Sequence, residues 1–180
     1  VVRITDSLAV KFGHFVTAGE FRNQQAAQQR LNADIVNVPT AYRFVQKDAI
    51  GYIVMDYVDG DTLDLVSAKN MAEELGKVLG YIHRQGATSP GSLGGGPLSG
   101  VLWPEHEEVE FLNSEDLQLW FDQHSPSSGH KVDLRRHALS MCHLDFNPRN
   151  IIVDDNRIYL VDWSAAGYFP RFFEHILYQF

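Results

Sequence analysis

The sequence predicts an α+β fold, with strands concentrated in its first third and helices in much of the remainder. Three observations carry this. Short apolar runs flanked by turn residues occupy Val1 to Phe12 and Ala41 to Tyr57. An apolar stripe at helical spacing, Met71, Leu75, Val78, Leu79 and Ile82, fills the middle of the chain. Near the end, Ile151-Ile152-Val153 and Ile158-Tyr159-Leu160-Val161 bracket the turn cluster Asp154-Asp155-Asn156.

Val1 to Ile4 and Leu8 to Phe12 enclose Thr5-Asp6-Ser7, which predicts a hairpin. Lys11 interrupts its second strand, where a lysine would ordinarily face solvent. Thr17-Ala18-Gly19-Glu20 is a capping box, with the Thr17 hydroxyl placed to accept the Glu20 amide. It opens a helix to about Leu31. Val36 to Pro39 leads into strands at Ala41 to Val45 and Gly51 to Tyr57. Asp59 to Asp64 is acidic and turn-like, a solvated loop whose charge could also attract a cationic substrate. The apolar stripe is a core helix ending before Gly86. Gly91 to Gly100 lacks the G-K-[ST] ending of a phosphate-binding loop and reads as a flexible insertion. Val101 to Phe111 holds strand-like pieces broken by acids. Ser114 caps a helix with Leu117, Trp120 and Phe121 on one face. Residues 125–129 form a loop, and Val132 to Ser140 reads as helical.

The hairpin at 151–161 places Asn150 just before its first strand and Asp162 just after its second. In an antiparallel pair those ends are neighbours. Asp145 lies on the loop leading in, so three oxygen-bearing side chains converge on one end of a rigid hairpin. An amide oxygen and a carboxylate are hard ligands of the kind Mg²⁺ takes, with waters and substrate phosphates completing the shell. A second Asp nearby could accept the proton of an attacking hydroxyl. The chemistry such a cluster suits is phosphoryl transfer.

His143-x-Asp145-x-x-x-x-Asn150, followed by the strand pair and Asp162-Trp163, resembles the aminoglycoside phosphotransferase and choline kinase-like family, in the form common among fungal proteins. The resemblance spans most of the chain and is specific at 143–163. It implies a two-lobed protein-kinase-like fold: a small β-rich N-lobe at 1–57 and a helical C-lobe at 58–180. It implies Asp145 as catalytic base, with His143 holding the catalytic-loop backbone. Asn150 and Asp162 become Mg²⁺ ligands, Lys11 the anchor of the nucleotide phosphates and Glu20 its partner. Met55 and Tyr57 fall at the hinge, where backbone groups bond the nucleotide base. The implied function is ATP- and Mg²⁺-dependent transfer of a phosphoryl group to a hydroxyl of a small molecule.

Leu144 departs from the family, many of whose members have Gly there. No Gly-rich loop precedes Lys11, and the chain ends 18 residues after Asp162, where the family continues with further helices. The expected fold is therefore truncated at both ends relative to the family. That leaves a second reading open, an inactive pseudokinase-like module that binds nucleotide or a partner. Protein kinase activity is disfavoured because no A-P-E segment follows Asp162. The substrate, the choice between ATP and GTP and the oligomeric state are not readable.

Composition fits this class. Of the 180 residues, 44% are apolar and 21% charged, as in ordinary globular domains. The net charge of −8, without a basic cluster, argues against a nucleic-acid partner. No apolar run approaches membrane-spanning length, there is no signal-peptide pattern, and a cytoplasmic location is expected. Cys142 is the single cysteine and reads as a small buried hydrophobe. The set His130, His137, Cys142 and His143 has spacings that fit no closed zinc site.

Overall fold

Alternation along the first strands builds an antiparallel sheet. The computed structural model describes residues 1–100, 102–104, 107–124, 132–155 and 157–176. Strands β1 (Val2–Arg3), β2 (Leu8–Gly13), β3 (Ala41–Lys47) and β4 (Ile50–Asp56) lie in the order β1-β2-β4-β3. Gly51, Ile53 and Met55 of β4 face inward with Ala9 and Ala41. Asp48 and Ala49 turn β3 into β4 with φ of 51° and 63°, the left-handed pair that suits the twist of a tight hairpin. Helix α1 (Ala18–Arg30) covers the inward face. Thr17 accepts the Glu20 amide at 3.1 Å, as the capping box requires. The buried stripe of α1 is unusual, because Glu20, Asn23 and Gln24 lie in it beside Ala26 and Ala27. Each of these polar side chains has a partner described below.

The chain continues through β5 (Asp61–Thr62), α2 (Leu65–Asn70) and α3 (Ala72–Ile82). It then forms β6 (Gly86–Ala87), β7 (Gly91–Ser92), α4 (Ser114–His124) and β8 (Leu139–Cys142). The last elements are β9 (Ile151–Asp154), β10 (Arg157–Leu160), β11 (Gly167–Pro170) and α5 (Phe173–Ile176). Two further sheets result, β10-β9-β5 and β6-β8-β11-β7. The stripe of α3 packs Leu75, Val78 and Ile82 against Met141, Ile151, Leu160 and Trp163. A second core gathers Trp103, Leu117, Leu144, Phe169 and Phe173.

Four segments differ from expectation. Gly91 to Gly100 is built into the fold rather than looped out. Gly91 and Ser92 pair with β11, and Leu93 and Leu98 are buried. A side chain at Gly94 would meet the Arg22 backbone at 2.4 Å, so this glycine serves close packing against α1. Residues 132–140 do not form a helix. Asp133 caps only a single 3₁₀ turn, Leu134–Arg136, after which Leu139 and Met141 alternate into the core as a strand. The cap of α4 is Asn113, whose side chain accepts the Asp116 amide at 2.9 Å, and Ser114 is the first helical residue. Between 101 and 111 the described residues contain no strand. The 125–129 loop and His130 lie outside the described residues. No helix among the described residues is long and apolar enough to cross a membrane.

Candidate active site

The 151–161 hairpin forms with Ile151 opposite Leu160. Val161 donates its amide to the Asn150 carbonyl at 2.9 Å, which fixes the two hairpin ends together. Asp162 follows with φ of 63° and Leu144 has the same value. Such left-handed backbone costs a non-glycine residue about 1–2 kcal/mol. Strain of this kind concentrates where geometry serves function. At Leu144 the side chain compensates, being 2% exposed within the second core. A glycine would adopt that angle without the penalty.

The Asp145 carboxylate is held from three sides. Asn147 and Asn150 donate side-chain amides to it, Asn150 at 2.7 Å. Arg149 closes the third side at 3.0 and 3.1 Å. Asn150 also donates to the Asp145 carbonyl at 2.9 Å. Both of its bonds use Nδ2, which leaves Oδ1 with no partner among the described residues. Asp162 Oδ1 takes the Lys11 ammonium and the Ser164 hydroxyl, each at 2.9 Å, and Oδ2 is similarly open. Two hard oxygens from neighbouring hairpin ends therefore fit a Mg²⁺ ion that draws its remaining ligands from water and phosphate.

Lys11 does not face solvent. Its Nζ lies 2.5 Å from Glu20 Oε1 and 2.9 Å from Asp162 Oδ1, joining the sheet, α1 and the hairpin. Glu20 thus uses its amide for the cap and its carboxylate for the ion pair. Burial works against the Lys11 ammonium, but the two carboxylates outweigh it and raise its pKa. Burial lifts the Glu20 pKa, opposed only in part by Lys11. Burial would lift Asp162 too, yet the charge and hydrogen bond of Lys11, with the Ser164 hydroxyl, hold it below the usual carboxylate range. It is ionised at neutral pH.

His143 is fully buried and does not reach the cleft. Its Nε2 lies 3.1 Å from the Val161 carbonyl, and its Nδ1 accepts the Asp145 amide at 3.3 Å. Burial lowers its pKa, so the ring is neutral with its proton on Nε2. It orients the loop rather than moving a proton. Cys142 is also fully buried, and burial pushes its thiol pKa up, as expected for a packing residue.

A cavity of about 320 Å³ lies at the end of the hairpin that carries Asn150 and Asp162. Lys11, Glu20, Asn150, Asp162 and Arg149 line its polar end, and Ala9, Met55, Ile152 and Val161 its apolar walls. Tyr57 and Val58 also line it. The Tyr57 amide is already spent on the Ser7 carbonyl at 2.9 Å. Among the hinge residues, the Val58 amide has no partner in the described structure.

Three contributors carried no sequence signal. Gln24 Nε2 donates to the Pro39 carbonyl at 2.6 Å in the cavity wall. Glu174 reaches the catalytic loop. Asn23 donates to the carbonyls of Trp163 and Ala166 at 3.0 and 3.1 Å, and accepts from Ser92 Oγ and Gly94 N at 2.8 and 2.7 Å. It ties α1 to the segment after Asp162. Asn23→Ala is expected to leave several buried groups unpaired and to cost about 3 kcal/mol. That lowers the melting temperature by roughly 6–12 °C, measurable by circular dichroism. A shift within error would mean these bonds carry no net stability.

Residues 1–177 match the model of the phosphotransferase enzyme family. The chain belongs to that family. Two solved phosphotransferases show its fold. A thermostable mutant of aminoglycoside phosphotransferase APH(4)-Ia, in ternary complex with AMP-PNP and hygromycin B, aligns with a TM-score of 0.58 at 12% identity. The alignment covers 93% of this chain and 62% of that one. Spectinomycin phosphotransferase APH(9)-Ia, in complex with ADP and spectinomycin, aligns at 0.50 and 17% identity over 92% and 59% of the two chains. The fold is kinase-like α+β, and this family member spans about three fifths of the length of those structures. No curated protein matches it.

Proposed function

We propose that this chain is the core of a small-molecule kinase that transfers the γ-phosphoryl group of ATP to a hydroxyl. The observation that carries the reading is the convergence of Lys11, Asn150 and Asp162 around one cavity, with the Asp145 carboxylate bonded to Asn150 beside it. In this reading the lobes are 1–57 and 58–180, meeting at Asp56 to Val58. The adenine lies between Ala9 and the Ile152–Val161 wall, with the Val58 amide at its edge. Asn150 Oδ1 and Asp162 Oδ2 hold Mg²⁺, which supplies charge neutralisation at the phosphates when bound. Lys11, steered by Glu20, meets the non-transferred phosphates. Asp145 orients the acceptor hydroxyl and takes its proton. For that, Arg149 gives up its contact with Asp145 to the incoming acceptor.

The completeness of this set supports an enzyme over a purely nucleotide-binding module. The deciding experiment is ATP turnover with and without a panel of amino-alcohols and sugars. Acceptor-dependent ADP release supports the reading, and nucleotide binding without turnover on any acceptor favours the module. Lys11→Ala provides a second check. A charge-assisted hydrogen bond is worth about 1.5–3 kcal/mol, so ATP affinity should fall roughly 10- to 100-fold. Unchanged affinity by titration calorimetry would remove Lys11 from the phosphate site.

A further inference from the structure

We propose that a cavity at the end of α3 is a second ligand site, one that takes the dianionic phosphoryl group of a phosphate ester or of free phosphate. The cavity measures about 770 Å³, a size typical of small-molecule pockets. His83, Arg84, His137, Ser140, Arg171 and Phe172 line it. None of them lines the cavity that holds Lys11 and Asp162. Its chemistry does not depend on the phosphotransferase reading.

The sheet gathers these residues from separate stretches of chain. Strand β8 lies between β6 and β11, with Ser140 opposite Gly86 on one side and Phe169 on the other. His83 caps α3, and Arg84 follows it on the way to β6. Arg171 and Phe172 follow the end of β11, and His137 closes the 3₁₀ turn that leads into β8. The Met141 amide bonds the Gln85 carbonyl at 2.7 Å and fixes β8 to the end of α3. The lining is therefore held by hydrogen-bonded backbone, although its side chains come from positions far apart in the sequence.

Charge selects the ligand. In a chain of net charge −8, this lining holds two guanidinium groups, two imidazoles and a hydroxyl, and no carboxylate. Both arginines are exposed, and neither has an ion-pair partner among the described residues. Arg84 lies over the Tyr81 ring at 5.9 Å, which steadies the guanidinium without neutralising it. The His137 ring stands edge-on to Phe172 at 5.1 Å. The Ser140 hydroxyl has no hydrogen-bond partner among the described residues. Glu174 approaches from behind, its Oε2 3.5 Å from His83 Nε2. Its two oxygens already accept the His143 and Leu144 amides, each at 2.8 Å, and it pairs with neither arginine. Guanidinium forks match phosphate oxygens in pairs. A phosphoryl dianion presents acceptors in several directions, which suits donors arriving from several elements. A planar carboxylate would leave part of this donor set unused. Phe172 supplies an apolar wall for the organic part of an ester.

The test is calorimetric titration of the full chain with glycerol 3-phosphate, orthophosphate and succinate, without nucleotide, so that the presence or absence of phosphotransfer does not enter. Arg84→Gln and Arg171→Gln should each weaken phosphate binding about 10- to 100-fold, the loss expected for one charge-assisted partner. Lys11→Ala should leave this binding unchanged, which separates it from phosphate in the nucleotide cavity. Tighter binding of the ester than of orthophosphate supports an organic phosphate as occupant, and equal binding supports free phosphate. Succinate binding as tightly as either overturns the phosphoryl assignment. So does the absence of phosphate binding to the folded chain, or an affinity that neither arginine variant changes. Wild type gives a readout that needs no variant to fold. The ring resonances of His83 and His137 should move as phosphate is added, and binding that leaves both unmoved overturns the proposal.

Discussion

Asp145→Asn is expected to lower turnover by about 10²–10⁴-fold, the usual contribution of a positioned general base. Nucleotide affinity should remain, because Asp145 does not line the cavity and is not among the groups assigned to ATP. The substitution keeps the shape of the side chain and removes its charge. It also leaves Arg149 without the carboxylate that it bonds at 3.0 Å. That exposed pair contributes at most about 1 kcal/mol, so the variant should stay folded. The loss of rate is then chemical, and an unchanged MgATP-induced stabilisation is the control. Retention of most of the turnover would remove Asp145 from the role of base.

The parts of this site that the sequence displayed are those with local or strongly typed signals. The hairpin was readable because β-branched runs flank a turn cluster. The neighbourhood of Asn150 and Asp162 then followed from antiparallel pairing alone. Glu20 was visible through its capping box, and the resemblance assigned its carboxylate to Lys11, with which it pairs at 2.5 Å. Lys11 looked like a surface lysine by its own strand, and only its resemblance to a known pattern pointed inward. Asn23 and Glu174 were hidden for a different reason. Their partners are backbone groups 140 and 31 residues away, and backbone groups are the same whatever the sequence. The glycines at 91–100 misled for a related reason. Glycine marks both loose loops and close packing, and only the approach of α1 to Gly94 distinguishes them. Leu144 stood out as a departure, but its left-handed backbone and buried side chain belong to the tertiary structure.

Nucleotide binding is expected to depend on Mg²⁺, and Asp162 is expected to be the reason. Around the cavity Glu20 and Asp162 bring two carboxylates to a single ammonium at 2.5 and 2.9 Å. Lys11 holds Asp162 ionised, so the metal-binding end of the cavity presents the charge of the Asp162 carboxylate. Triphosphate approaching that end without metal meets repulsion. A divalent ion on Asn150 Oδ1 and Asp162 Oδ2 turns the repulsion into a bridge. Ligand at 100 times its dissociation constant stabilises a folded chain by about 2.7 kcal/mol. For a chain of this size each kcal/mol moves the melting temperature by roughly 2–4 °C. MgATP should therefore raise it by roughly 5–10 °C, and ATP with EDTA by much less. Asp162→Ala removes both the metal ligand and the repulsion, so the two conditions should converge. That convergence separates a metal site from a general loss of affinity. Lys11, still held by Glu20, remains in the variant to receive the phosphates, and only the difference between conditions should disappear. Equal shifts with and without metal in wild type would favour metal-independent nucleotide binding. No shift in either condition, in a chain shown to be folded, would mean that this cavity does not take nucleotide.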